Sequence, residues 1–456
     1  MDYAAFLESK RVVSGLAGFE PTEPINPKLK PFQADIVRWA LRRGRAAVFA
    51  GCGLGKTAIE LEWASHVARK TGGDGLILAP LAVTGQIARE ADKFGYEVTV
   101  CRTPSDQRSG INVTNYERIH HFSPSGFQFI AADEASILKA YDGATRKKLT
   151  EFAKSIPYRL AATATPAPND LIELTNQAEF LDVMTQKEIV ALFFTQDGNS
   201  SSKYRLKGHA VEPFWRWLAS WSVAVRTPSD IGHSDDGYVL PPLDVRTIVV
   251  GSKPLDGYLF PMEAAGLAQQ REARRDSIDA RVKECVDLVN GSEGPFLVWC
   301  DLMAEADAIQ KSIPGSRGVH GSDSLESKEA TLSAFVDGSL RVMVSKPSVA
   351  GLGLNLQHCN QMAFVGLSNS FEQVYQATRR CWRFGQSRPV KCWHIVSEAE
   401  GAVKANLERK ERQYDAMFES LVSHMKGFSL GRAMRDIAPY EPSQPIAVPS
   451  WMESIR

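Results

Sequence analysis

Short apolar runs recur along the chain with helical spacing between them, and they fall into two separate stretches. The first stretch holds Ala46 to Ala50, Leu76 to Ala79, Val98 to Cys101, Ile111 to Thr114, Phe127 to Ala132 and Arg159 to Ala162. The second holds Phe296 to Cys300, Arg341 to Ser345, Met362 to Gly366 and Lys391 to Val396. A continuous apolar run has no polar side to turn to water, so it reads as a strand covered on both faces, and the intervening helices supply the covers. The pattern predicts an α/β protein with two parallel-sheet domains in tandem. Residues 171 to 237 read differently. A polar stretch from Gly198 to Ser202 precedes Phe214, Trp217, Leu218 and Trp221, spaced i, i+3, i+4 and i+7 on one face of a helix. That face reads as core, with base stacking by the tryptophans as the alternative.

Gly and Pro between Ile231 and Pro242 break both helical and strand periods, which marks a linker with the domain boundary at 238. Beyond 401, Leu407, Tyr414, Met417, Phe418 and Leu421 share a helix face, and Pro439, Pro442, Pro445 and Pro449 mark an extended tail. The expected organisation is an N-terminal extension over 1–29, a first domain over 30–237 whose last part (171–237) is helical insertion and linker, a second domain over 238–400, and a C-terminal helix with its tail over 401–456.

Composition narrows the function classes. At about 150 residues per domain, 456 residues hold two or three domains. Lys plus Arg and Asp plus Glu cancel at 53 each, so no global field gathers a polyanion, and a nucleic-acid partner requires basic residues concentrated in a cleft. No run approaches the length of a membrane span, and the first residues, with Asp2 and Glu8, lack a basic-then-apolar leader; the expectation is a cytoplasmic protein without a membrane partner. The seven cysteines form no Cys-x-x-Cys pair, which favours buried thiols over a zinc knuckle or a disulfide framework.

Chemistry first shows at Gly51-Cys52-Gly53-Leu54-Gly55-Lys56-Thr57, set between an apolar strand and a helical pattern. Glycines let the backbone curl so that successive N–H groups face a phosphate at the helix N-terminus. Lys56 is the group expected on the β and γ phosphates, and the Thr57 hydroxyl on Mg²⁺. Ala50 stands where the strictest pattern has Gly, a small-for-small change. A second acidic site follows at Asp133-Glu134, at the end of the run Phe127 to Ala132. Asp133 is expected to complete the metal shell, and Glu134 to orient and deprotonate water, which means hydrolysis rather than transfer to a second substrate.

From about residue 28 to 425 the chain resembles the superfamily 2 helicase-like ATPases of the Swi/Snf type, and its wording is most similar to small phage or prophage members. Leu29-Lys30-Pro31-Phe32-Gln33 resembles the adenine-sensing segment, with Phe32 on the base and Gln33 on its edge. Ala79-Pro80-Leu81 and Asn112-Val113-Thr114-Asn115-Tyr116-Glu117 resemble segments that touch the DNA backbone, which implies Pro80, Thr114 and Asn115 as contacts. Ala162-Thr163-Ala164-Thr165-Pro166 resembles the coupling motif. In the second half, Val319-His320-Gly321, Ala350-Gly351-Leu352-Gly353-Leu354-Asn355-Leu356 and Gln376-Ala377-Thr378-Arg379-Arg380-Cys381-Trp382-Arg383-Phe384-Gly385-Gln386 follow the family pattern. Gln376, Arg380 and Arg383 lie at i, i+4 and i+7, on one face if helical.

The resemblance implies two RecA-like domains with an ATP cleft between them, and Arg380 and Arg383 as fingers that neutralise charge on the transferred phosphate. It implies His320, Gly351 and Lys139 as further DNA contacts and Gly353 at the nucleotide. Departures are Ser136 where most relatives carry His, which puts the contact to the coupling motif on a shorter side chain, and Ala140 and Ala350 in place of Asn and Gly. The leading expectation is a motor with ATP and Mg²⁺ as cofactors and duplex DNA as track. A strand-separating helicase and an ATP-gated subunit of a larger recombination or restriction assembly, with a protein partner, are the alternatives. Arg146-Lys147-Lys148 and Arg271, Arg274, Arg275 and Arg281 are candidates for the track.

Overall fold

A computed structural model describes residues 18–139, 143–197, 200–251, 272, 274–350 and 355–427. Gly351, Gly353 and Arg271, expected at the nucleotide or the track, lie outside the described residues, as do Gly198 and the proline tail. The first domain carries strands β1 (Arg45–Ala50), β2 (Asp74–Ala79), β3 (Val98–Val100), β4 (Ile111–Asn115), β5 (Phe127–Asp133) and β6 (Tyr158–Thr163). After these come a hairpin of β7 (Phe194–Asp197) and β8 (Ser200–Leu206), then β9 (Ser222–Val225). The second domain carries β10 (Leu243–Val250), β11 (Phe296–Cys300), β12 (Arg317–Val319), β13 (Val342–Ser345), β14 (Gln361–Val365) and β15 (Val390–Ser397).

Two parallel sheets result, ordered β3-β4-β2-β5-β6-β1-β9 and β10-β15-β14-β11-β13-β12, each covered by helices. This is the tandem RecA-like architecture. Three strands escape the apolar pattern for different reasons. β9 is four residues long and follows a helix without a break, β12 has three residues, and β10 is an edge strand whose Asp244 and Arg246 interrupt its apolar run. β9 matters most, because it pairs with β1 and makes the strand feeding the glycine-rich turn internal to its sheet.

The helix predicted from the Trp stripe, Val211–Trp221, forms as expected and settles the alternative for its tryptophans. Trp217 and Trp221 are buried, with Trp221 edge-on to Phe49 of β1. Burying a large apolar side chain contributes roughly 1.5–3 kcal/mol, and no ring face is left for a base. The C-terminal helix, Gly401–Gly427, also forms, with Leu407, Tyr414, Met417, Phe418 and Leu421 buried. It starts in the second domain and packs on the first: the Ala224 amide of β9 donates to Met425 Sδ at 3.1 Å, and Tyr414 donates its hydroxyl to the Ala164 carbonyl at 2.7 Å.

The arginines expected on a nucleic-acid track fall mostly inside the protein. Arg281, on the helix Ile278–Asn290, is fully buried and bonds Glu305 Oε1 at 2.6 Å. Arg274 is buried and pairs with Glu400 at 3.0 Å and with Asp301. Arg146 is buried against Glu179 at 2.5 Å. A guanidinium enclosed by carboxylates cannot meet a phosphate, so these three are removed from the track, while Lys147, Lys148 and Arg275 stay exposed.

Candidate nucleotide site between the domains

Strand β1 ends at Ala50 and helix α1 (Lys56–Thr71) begins six residues later, so Gly51 to Gly55 must turn the chain within a short span. The Gly51 amide donates to the Val225 carbonyl of β9 at 2.9 Å, which anchors the turn to the sheet. Gly53 and Gly55 adopt φ of +90° and +80°, in the left-handed region. A Cβ on Gly55 would lie 2.3 Å from Gln33 Nε2, and one on Gly53 2.8 Å from the Phe384 ring. Both positions therefore demand glycine twice over, by backbone angle and by space. The first turn of α1 carries no acidic residue, so its free N–H groups and positive dipole face the turn.

Lys56 donates to the Ala50 carbonyl at 3.3 Å. Burial lowers its pKa, but the neighbouring Glu134, Cys52, Asp133 and Glu60 outweigh that and hold it above the ordinary lysine value. Asp133 ends β5, buried, and burial followed by the Glu134 charge pushes it up to about 7 against the opposing pull of Lys56. Glu60, one turn along α1 from Thr57, is wholly buried against the Asp133 carboxyl. Burial and then the Asp133 charge raise Glu60 well above the carboxylate range.

Thr57 and Asp133 supply hard oxygen donors beside a surplus of acidic groups, which fits Mg²⁺. Among the described residues no three His, Cys, Asp or Glu side chains are arranged to enclose a metal. An open site suits this ion, which keeps several waters and takes the rest of its shell from phosphate.

Glu134 has φ of +54°, a strained setting for a side chain with a Cβ. Its carboxylate accepts from Thr163 Oγ1 at 3.4 Å, the Thr165 amide donates to Thr163 Oγ1 at 3.0 Å, and Thr165 Oγ1 donates to Glu372 Oε1 at 3.3 Å. Glu372 sits on helix α2 (Phe371–Cys381) of the second domain and also pairs with Lys139. A polar chain thus leads from the acidic motif, through Thr163 and Thr165, to the helix that bears Gln376 and Arg380. Ser136 stands outside this chain: its hydroxyl reaches only the Glu134 carbonyl, at 3.5 Å. The contact expected of Ser136 is made by the Glu134 carboxylate instead.

Helix α2 ends at Cys381, with Trp382 as its cap, so Arg383 is not on the shared helix face. A turn closed by the Gln386 amide on the Arg383 carbonyl at 3.0 Å carries it onward. Arg383 still returns to Arg380: burial and then the Arg380 charge lower its pKa, while Cys52 of the glycine-rich turn raises it. Gln376 and Arg380 are buried, and the Arg380 Nε donates to the Gln376 carbonyl at 3.0 Å.

An aromatic row crosses the cleft above the turn. Phe32 meets Tyr238 edge-on at 5.3 Å, and Tyr238 meets Phe384, the ring against Gly53, at 4.7 Å. Gln33 is occupied at both ends: it accepts from the Lys30 amide at 2.9 Å and donates to the Leu54 carbonyl at 2.8 Å, so it steadies the turn rather than presenting a free amide to a base.

The first-domain residues expected on DNA are mostly committed elsewhere. Thr114 is buried and donates to the Cys101 carbonyl at 2.8 Å, and Asn115 is buried and caps the Arg118 amide at 3.0 Å. Lys139 is held by Glu372 between the domains. Pro80 lies at the end of β2, and His320, near Gln310 at 3.3 Å, remains partly exposed. A separate cavity of about 550 Å³, lined by Asn26, Glu62, Arg69, Tyr96 and Gly110, lies away from the phosphate turn, alongside the C-terminal half of α1. No helix among the described residues is long and apolar enough to cross a membrane.

Glu60, Glu372 and Tyr238 were not singled out from the sequence. Glu60 interrupts the apolar run Ala58-Ile59-Glu60-Leu61, and Glu372 lies four residues before Gln376 on the same helix face, so both left a readable signal. Tyr238 left none, because its role depends on where the linker is laid.

The glycine-rich turn of one parallel-sheet domain is thus met by Phe384 and Arg383 of the next, at a cleft between the two. Residues 280–385 match the family model "Helicase conserved C-terminal domain". The chain is 21% identical over 490 residues to the "Chromodomain-helicase-DNA-binding protein 1-like" of Danio rerio, covering 90% of this chain and 46% of that protein. It is 23% identical over 432 residues to "Putative protein p41" of Acyrthosiphon pisum secondary endosymbiont phage 1, covering 81% of this chain and 93% of the phage protein. A solved structure titled "Sulfolobus solfataricus SWI2/SNF2 ATPase core in complex with dsDNA" aligns with 20% identity and a TM-score of 0.42, covering 91% of this chain and 99% of that one. Residues 280–385 are thereby helicase-like in sequence. The chain spans less than half of the zebrafish relative and nearly the whole phage relative.

Proposed function

We propose that the chain is an ATP-driven motor that tracks on double-stranded DNA in phage or bacterial DNA metabolism, in the cytoplasm, and hydrolyses ATP to ADP and phosphate. The observation that carries this reading is the approach of the Phe384 ring to Gly53, with Arg383 near Cys52 of the same turn and Arg380 near Arg383. In this reading Lys56 and the amides of Gly51 to Gly55 hold the phosphates, Thr57 and Asp133 hold Mg²⁺, and the ion neutralises phosphate charge. Glu134 orients and deprotonates water, and Gln376, Arg380 and Arg383 complete the site from the second domain. Thr163 and Thr165 pass the state of Glu134 to Glu372, so hydrolysis is felt where the domains meet. Cycles of closing and opening then shift which domain holds the DNA backbone. Contacts to phosphate make such binding sequence-tolerant and salt-sensitive. With the buried arginines removed, Pro80, His320, Lys147, Lys148, Arg275 and the Gly351 segment are the remaining candidate DNA contacts. The phage origin of the p41 relative supports the setting.

The test is ATP hydrolysis by the purified protein alone and with duplex DNA, single-stranded DNA or RNA, with Lys56→Ala as blank. Strong stimulation by duplex, absent in the blank, is the expected result. Stimulation by RNA alone would move the track, and hydrolysis indifferent to every nucleic acid would favour a partner-gated subunit.

A further inference from the structure

We infer that Arg379 binds a phosphate of the nucleotide from the second domain, as a third arginine beside Arg380 and Arg383. This rests on the nucleotide-site reading above. Arg379 sits on α2, with its guanidinium carbon 4.2 Å from the centre of the Trp382 ring and 5.2 Å from that of the Tyr375 ring. Tyr375 lies four residues before it and Trp382 three after, so the rings reach it from the turns on either side. Two aromatic faces leave a planar guanidinium little freedom, and the cation is held in place before any ligand arrives.

The clamp holds Arg379 toward the phosphate turn. Burial works against its charge, but Tyr375, then Cys52 of the turn and Tyr414 of the C-terminal helix, outweigh that and keep it above the ordinary arginine value. The Tyr375 hydroxyl accepts a hydrogen bond from it, while its Nε is enclosed and meets no acceptor. Asp415 lies within its field, yet Asp415 is bonded to Arg226 at 3.2 Å. Arg281, Arg274 and Arg146 show the other arrangement, in which a buried guanidinium is closed on a carboxylate. Among the described residues Arg379 has no such pair, although it is clamped where the two domains meet. A fixed, forked cation with N–H groups to spare matches a phosphate, which accepts two parallel hydrogen bonds from it. A nucleotide and a nucleic-acid backbone both offer phosphate; Cys52, between Gly51 and Gly53, points to the nucleotide.

The experiment compares the full chain with Arg379→Met, which keeps the length of the side chain without its charge, and with Arg379→Lys. A fluorescent non-hydrolysable ATP analogue is titrated with magnesium at several KCl concentrations, and duplex DNA is titrated without nucleotide. The expected results are an analogue Kd raised about tenfold by Met and less by Lys, a salt dependence of that Kd shallower in Met than in the parent, and unchanged affinity for duplex. A Met variant with the parental Kd and salt dependence overturns the proposal, whether or not it melts lower. So does a Met variant that loses duplex affinity alone, which assigns the phosphate to nucleic acid. If the Met variant does not fold, Arg379→Gln decides by the same titrations. A parent chain that does not bind the ATP analogue removes the nucleotide-site reading itself, a result distinct from failure of Arg379 alone.

Discussion

Both domains bury charge, and they do so in opposite ways. In the second domain Arg281 meets Glu305 at 2.6 Å with both side chains fully buried, and Arg274 is held by Glu400 and Asp301. Each of these two cations is enclosed by its partner, and nothing is left for a ligand. At the end of β5 in the first domain the acids outnumber the cation: Glu60, Asp133 and Glu134 surround Lys56. Paired burial, as at Arg281 and Glu305, leaves no charge to be met, whereas the acids around Lys56 leave a surplus of negative charge at the strand end. The same residue types thus divide into structure and chemistry according to whether their partners are already present.

Changes to the unbalanced cluster should act on chemistry. Lys56→Ala removes the cation that Glu134, Asp133 and Glu60 surround, and hydrolysis should fall to background with the fold intact by circular dichroism. Arg380→Ala should lower kcat by about 10³, read against nucleotide binding that persists. Breaking a balanced pair should act on stability instead. Glu305→Gln strands the buried Arg281 and should cost about 3–5 kcal/mol in denaturant melts, while Arg281→Met with Glu305→Leu should be close to neutral. A near-neutral Glu305→Gln would erase the distinction between the domains.

Glu372 belongs to neither class, since it joins Lys139 and Thr165 across the domains. Removing a charged hydrogen-bond partner is worth about 1.5–3 kcal/mol, so Glu372→Gln should slow nucleic-acid-stimulated hydrolysis by roughly tenfold. The smallest expected effect concerns Glu173, buried beside the coupling motif and pushed up to about 7 by burial, against donors from Asn169. Its folded form keeps a proton that the unfolded chain releases near the ordinary value of 4.5, so it favours folding at low pH and that contribution is lost as pH rises toward 7. Glu173→Gln should flatten the stability–pH curve across that window, as thermal melts at a series of pH values would show.

The sequence revealed the parts whose signal is local. Continuous apolar strands, the glycines around Lys56 and the Asp133-Glu134 pair each carry their message within a few residues, and ten strands were legible from such runs. What stayed hidden depends on distant partners. Arg281 looks like a surface cation until Glu305, on another helix, is brought against it, and Lys139 looks like a DNA contact until Glu372 reaches it from the second domain. Arg383 was read as helical because spacing cannot show that Trp382 ends the helix.

The C-terminal helix has a mechanical consequence. Near its start, Glu400 is gripped by Arg274 of the second domain; near its end, Asp415 bonds Arg226 at 3.2 Å and Met425 rests on β9 of the first. Its 27 residues make a rod about 40 Å long at 1.5 Å per residue. A rod fastened at both ends resists stretching but permits swinging, so the halves of this molecule cannot drift apart on a slack tether. With the linker near Tyr238 as the second attachment, the two fastenings define an axis, and relative motion of the domains is confined to an arc about it.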